Sequence, residues 1–156
     1  MKLARYMNNP VKKLVKIYTD GACSGNPGKG GWAAILIYQG HEKVVSGYSP
    51  MTTNNIMELT AALEGLKILK EKCSVELYSD SSYLINAFRN KWIDKWVDNG
   101  WKTSSKSPVK NEKLWRELLL LSDIHEITWI KVKGHANDKY NNICDKLAVE
   151  QINKNK

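Results

Sequence analysis

Val15, Ile17 and Thr19 alternate with Lys16 and Tyr18 until the run halts at Asp20, and a second short apolar run, Val75 to Ser79, halts at Asp80. Two strands that each deliver an aspartate at the C-terminal end constrain this chain more than any other feature. If they are neighbours, parallel and central, they set two like charges side by side at the sheet edge where α/β proteins place their sites. Gly21 to Gly31, with five glycines and one proline, reads as a loop. Trp32 to Tyr38 and Lys43 to Tyr48 read as two strands joined around Gln39-Gly40, so the first three strands form an antiparallel meander. Pro50 to Asn55 is turn-like, and Met57, Leu59, Ala61, Ala62, Leu63, Leu66, Ile68 and Leu69 then mark a helix with a broad apolar face.

Beyond Asp80 the pattern gives a helix through Phe88, a second around Trp92 to Asp98 that stops at Asn99-Gly100, and a loop from Trp101 to Ser107. Leu114, Trp115, Leu118, Leu119 and Leu121 mark another amphipathic helix, Glu126 to Lys131 a last strand, and Asn141 to Ile152 a terminal helix. Strands whose helices return to the sheet imply an α/β fold, a mixed sheet with helices packed on its faces. The 156 residues suit one domain over 13–153, with a flexible basic arm at 1–12 and a tail at 154–156. No apolar run approaches the roughly 18 residues that span a bilayer, and the N-terminus lacks a signal-peptide core. The expectation is a soluble cytoplasmic protein. Cys23, Cys73 and Cys144 are odd in number with no close pair, which argues for reduced thiols over a disulfide framework or a structural zinc site.

The net charge of +8 is unevenly spread. Lys2, Arg5, Lys12, Lys13 and Lys16 give the first sixteen residues +5, residues 91–110 carry +3, and Lys154 with Lys156 adds +2. The remainder is faintly acidic. Basic edges on such a body suit a protein that holds a polyanion at its margins and keeps carboxylates for its centre, although for the two ends taken alone solvated lysines in frayed termini are the favoured reading.

Besides Asp20 and Asp80, Glu58 falls early in the long helix and Asp145 in the terminal helix. Adjacent anions repel, a divalent cation resolves the conflict, and an all-oxygen set selects a hard ion such as Mg²⁺ or Mn²⁺ over zinc. Three or four carboxylates could hold two ions about 3.5–4 Å apart, the separation used in phosphoryl transfer. Singly, each residue also fits a duller role as turn former, dipole complement or solvated helix face.

The flanking residues decide between these roles. Thr19-Asp20-Gly21-Ala22-Cys23-Ser24-Gly25-Asn26-Pro27-Gly28, Thr52-Thr53-Asn54-Asn55-Ile56-Met57-Glu58, Ser79-Asp80-Ser81 and Val132-Lys133-Gly134-His135-Ala136 resemble ribonuclease H type 1 over roughly residues 13–150. The resemblance implies the ribonuclease H-like fold, a five-stranded mixed sheet of three antiparallel and then parallel strands with helices on both faces. It implies an endonuclease that cuts the RNA strand of RNA/DNA hybrids with Mg²⁺, two ions per site when substrate is bound and Mn²⁺ a possible substitute, leaving 5′-phosphate and 3′-hydroxyl ends. Asp20, Glu58, Asp80 and Asp145 match its metal-binding carboxylates and His135 its mobile-loop histidine near the scissile phosphate.

By the same resemblance, Cys23, Asn26, Asn54 and Asn55 match minor-groove contacts and Thr53 a pocket for a DNA-strand phosphate. Helix capping is a second role open to Asn54-Asn55, and packing a second role for Cys23. The segment 91–110, with Trp92, Trp96, Trp101 and Lys102, resembles the basic protrusion of bacterial members that grips the DNA strand, while packing against the body is the preferred reading for Trp92 and Trp115. Ser82 stands where the bacterial pattern has glutamine, and the stretch before Trp92 is one residue longer, near Asn90-Lys91. His41 and His125 lack acidic neighbours of this kind and read as structural. The family favours a monomer with no obligate protein partner. The rival readings are a DNA-cutting nuclease on the same architecture, disfavoured by the paired asparagines and the protrusion, and a non-catalytic hybrid binder, disfavoured by the complete carboxylate set.

Overall fold

The computed structural model describes residues 13–133 and 138–155, so the basic arm at 1–12, His135 and Lys156 lie outside the described residues. Five strands, β1 (Lys13–Ser24), β2 (Gly28–Tyr38), β3 (His41–Thr52), β4 (Cys73–Ser79) and β5 (Glu126–Lys131), form one sheet in the order β3-β2-β1-β4-β5. β1 to β3 are antiparallel, and β4 and β5 run parallel to β1. Five helices complete the described chain: α1 (Asn54–Lys67), α2 (Ser82–Arg89), α3 (Trp92–Asp98), α4 (Glu112–Ile124) and α5 (Lys139–Lys154).

Strand parity sorts the core onto two faces. Val15 and Ile17 of β1 join Val75 and Leu77 of β4 in the larger cluster, under Leu59, Leu63 and Leu66 of α1 and Trp115 and Leu118 of α4. Tyr18 points the other way and packs with Ala33, Ile35 and Cys144 beneath α5. On that second face Tyr18 stacks between Tyr78 and Tyr140, with ring centroids 4.5 and 5.0 Å away. β1 therefore has helices over both surfaces, which explains the near-continuous burial from Ile17 to Asp20.

Gly21 to Gly31 is not a loop. β1 continues to Ser24, β2 begins at Gly28, and only Gly25 to Pro27 make the turn. The glycines serve close approach: a Cβ on Gly21 would lie 2.5 Å from the Met57 carbonyl carbon, and one on Gly31 would strike the Ala148 carbonyl of α5. Strand one thus runs past Asp20, and β3 likewise extends to Thr52 into the stretch expected to be a turn. His125, fully committed to structure, caps α4 and accepts the Cys73 N–H on Nδ1 at 3.1 Å, pinning the start of β4.

Candidate active site

Parallel pairing aligns Tyr18 with Tyr78, so Asp20 and Asp80, each two residues further on, reach the same level of the sheet. Asp20 shares Tyr18's parity and lies on the α5 side. Glu58 approaches from the opposite side on α1, where it is a buried carboxylate within an otherwise apolar face of Met57, Leu59, Ala61 and Ala62. The two meet because Gly21 lets the Met57–Glu58 backbone close on β1. The Gly21 N–H donates to Asp20 Oδ1 at 2.9 Å and to Glu58 Oε1 at 2.6 Å.

Asp20, Glu58 and Asp80 each offer an oxygen within 4.8 Å of the others. Burial pushes the Asp20 carboxyl up to about 7, with the negative charges of Asp80 and Asp145 adding to the rise, although the bonds from Glu58 and Gly21 oppose it. Burial, followed by the charge of Asp20, holds Glu58 well above the ordinary carboxylate range. Buried anions packed this closely without a cation favour a shared proton, and a divalent ion would release it. The donor set is all oxygen and acidic, so the residues present fit a hard divalent cation.

Around the carboxylates lies a cleft of about 390 Å³, also lined by Asn54, Asn55, Asp145 and Tyr83. Asn55 and Tyr83 also line a neighbouring groove of about 620 Å³, shared with Asn26, Thr53, Trp96 and Lys110. The two spaces therefore adjoin at Asn55 and Tyr83.

A family model for RNase H matches residues 12–153. The chain belongs to the RNase H family. It is 65% identical over 143 residues to the ribonuclease H of Acetivibrio thermocellus, an overlap covering 92% of this chain and 97% of that one. To the ribonuclease H of Caldanaerobacter subterraneus subsp. tengcongensis it is 64% identical over 142 residues, covering 91% and 93%. Among solved structures, LC9-RNase H1, a type 1 RNase H with the type 2 active-site motif, aligns with a TM-score of 0.83 at 28% identity, over 94% of this chain and 75% of that one. LC11-RNase H1, solved in complex with RNA/DNA hybrid, shares the fold with a TM-score of 0.70 at 22% identity, over 90% and 98%.

In this RNase H chain the residues singled out from the sequence fall into three groups. Asp20, Glu58 and Asp80 converge, while Asp145 sits exposed on α5 at the cleft wall, outside the 4.8 Å cluster. Asn26, Thr53, Asn54 and Asn55 gather at the start of α1: Thr53, not the asparagines, is the helix cap, its Oγ1 accepting from Ile56 N–H at 3.2 Å. Asn26 Oδ1 holds the Asn54 N–H at 3.0 Å, tying the β1–β2 turn to the helix. Cys23 is partly exposed, and its thiol donates to the Gly25 carbonyl at 2.8 Å. The third group lies in segment 91–110. Trp101 is buried with the Arg116 guanidinium 4.5 Å over its ring, and Trp96 packs 5.4 Å from Trp115 while still edging the groove. Trp92 packs partly buried against the core, and Lys102 is exposed, bridging to Pro108.

Sequence reasoning missed Ser79, which is fully buried and donates to Glu58 Oε2 at 3.3 Å. Its signal was a polar residue at the buried parity of an apolar strand. Tyr83 was missed as well: its hydroxyl accepts from Asn111 Nδ2 at 3.1 Å and Trp115 Nε1 at 3.2 Å, locking the ring between cleft and groove.

Proposed function

We propose that this chain is an endonuclease that hydrolyses the RNA strand of RNA/DNA hybrids, leaving 5′-phosphate and 3′-hydroxyl ends. The observation that carries the reading is the convergence of Asp20, Glu58 and Asp80 beside a groove lined by short polar side chains. Asp20, Glu58, Asp80 and Asp145 would hold two divalent cations, Mg²⁺ with Mn²⁺ as substitute. Bound there, the ions supply an activated water and neutralise charge on the leaving oxygen.

The protein's own groups prepare that site. Gly21 N–H and Ser79 Oγ orient Glu58, and burial keeps competing solvent from Asp20. Asn54 and Asn55 present amides that both donate and accept, matching the 2′-hydroxyls and base edges of a hybrid minor groove. Thr53 and the groove beside Trp96 and Lys110 take the DNA strand's phosphates. His135, outside the described residues, is assigned to proton transfer or product release, since histidine titrates near neutral pH. We assign residues 13–153 as one catalytic domain acting as a cytoplasmic monomer. Among the described residues no helix is long and apolar enough to cross a membrane.

The test is cleavage of end-labelled RNA/DNA hybrid beside matched double-stranded RNA, double-stranded DNA and single-stranded RNA, in Mg²⁺ or EDTA, with Asp20→Asn as control. Cutting confined to the hybrid, requiring the ion and lost in the variant, is expected. Binding without cutting would leave only a hybrid-binding module, and cutting of DNA duplexes would place the chain on another branch of the fold.

A further inference from the structure

Among the described residues, two side chains bury polar atoms without a hydrogen-bond partner: Thr52 through its hydroxyl, and Asn141 through both Oδ1 and Nδ2. Thr52 lies outside the catalytic cleft, whereas Asn141 lines it together with Asp20, Asp80 and Asp145. An amide brings one carbonyl acceptor and two N–H donors, and sealing all of them from water unpaired is costly enough that such groups are rare. The side chain does not hold its own helix together. Asp138 caps α5, its Oδ1 accepting the N–H groups of Tyr140 at 3.1 Å and Asn141 at 3.2 Å, so main chain alone fixes the position of Asn141. Asn141 also stands four residues before Asp145 and therefore on the same helix face.

We propose that Asn141 is a contact residue for the loaded cleft, with Nδ2 donating to a phosphate oxygen of the nucleic-acid backbone and Oδ1 accepting from a water retained by the divalent ion. The inference rests on the hybrid-hydrolase reading above. The surroundings select these partners. The nearby carboxylates are acceptors when ionised, so the amide carbonyl needs a donor brought in from outside, and hard cations keep several waters when they bind. Lys133 on the same cleft wall adds positive charge that favours a phosphate within reach of Nδ2.

The experiment uses Asn141→Leu, which keeps the branched shape and removes the polarity, and Asn141→Ala as a second variant. Thermal unfolding in EDTA, calorimetric titration with Mg²⁺ alone, and hybrid cleavage kinetics are measured on the full chain. The expected result is an unfolding temperature unchanged or raised in Asn141→Leu, Mg²⁺ binding weakened severalfold, and kcat/KM reduced roughly 10–100-fold in both variants. A drop in unfolding temperature in both, with wild-type turnover per folded molecule, would make Asn141 structural and overturn the proposal. Wild-type turnover with unaltered Mg²⁺ binding would overturn it too. Failure of the wild-type chain to cut hybrid would instead overturn the functional reading, and the Mg²⁺ titration would still decide whether Asn141 serves the ion side of the cleft.

Discussion

Ser79 donates its hydroxyl to Glu58 Oε2 at 3.3 Å and, through the same oxygen, accepts the Ser81 N–H at 3.0 Å. One buried serine on β4 thus couples the carboxylate delivered by α1 to the turn that carries Asp80. Removing it leaves Glu58 oriented by the Gly21 N–H and by its side-chain bond to Asp20. Partners in this position are typically worth roughly 10–100-fold in metal affinity or activity. Ser79→Ala is therefore expected to raise the Mg²⁺ concentration for half-maximal hybrid cleavage by about tenfold, with an unchanged circular dichroism spectrum. A Mg²⁺ titration identical to wild type would show that Glu58 needs no such tie.

The raised carboxyls make the stability of the ion-free protein depend on pH in a definite direction. Asp20 titrates near 3.8 when unfolded but at about 7 when folded, with burial the main cause. The folded chain binds more protons in between, so this contribution is complete below about pH 4 and is lost as pH rises through about 7. Glu58 acts in the same sense. His125, whose burial lowers its affinity for a proton, opposes them as pH falls below 6.5, so the clean window is pH 6.5 to 8. In EDTA the unfolding temperature should fall across it, each kcal/mol lost lowering Tm by roughly 2–4 °C for a chain of this size. Asp20→Asn should flatten the slope, and Mg²⁺ at pH 8 should restore stability by binding only the folded state. A wild-type Tm that is flat in EDTA would contradict the ionisation of these carboxyls in that window.

These two sites differ in how far they could be read from sequence. Asp20 and Asp80 were legible because strand periodicity places a residue on a sheet whatever surrounds it, and β5 was located to the residue. Glu58 was legible only through its neighbours, since a glutamate early in a helix is usually a dipole partner. The glycines from Gly21 to Gly31 misled, because composition records conformational freedom while their role here is to let α1 and α5 approach the sheet. Ser79 and Asn141 acquire meaning solely from what faces them across the fold. A one-dimensional pattern holds no such information.

The connection between α2 and α3 gives a stability prediction. Lys91 sits between α2 and α3 at φ 59° and caps α3 without any side-chain hydrogen bond. A side chain in the left-handed region costs roughly 1–2 kcal/mol, and glycine removes that cost while losing roughly 0.5–1 kcal/mol of backbone entropy. Lys91→Gly should therefore stabilise the protein by about 0.5–1 kcal/mol. Lys91→Ala, which removes the charge and keeps the strain, should not. Calorimetric unfolding of the pair separates the two effects, and equal gains in both would assign the benefit to charge.

Selection of RNA should likewise follow from the shape of the site. The cleft and the groove share Asn55 and Tyr83, and Asn26 holds Asn54 at their margin, so on the proposed reading polar contacts would extend over several sugars rather than one. Under the proposed mechanism, with an activated water as nucleophile, a 2′-hydroxyl would contribute by being recognised and not by attacking. Each hydroxyl bond adds roughly 0.5–1.5 kcal/mol, so losing two or three slows the reaction multiplicatively. A duplex with one ribonucleotide in DNA should be cut roughly 100-fold more slowly than one with a run of four or more, whereas comparable rates would mean that recognition is confined to a single sugar. Asn55→Ala should narrow the difference, slowing the run far more than the isolated ribonucleotide, because it removes a contact that only the run can make in full.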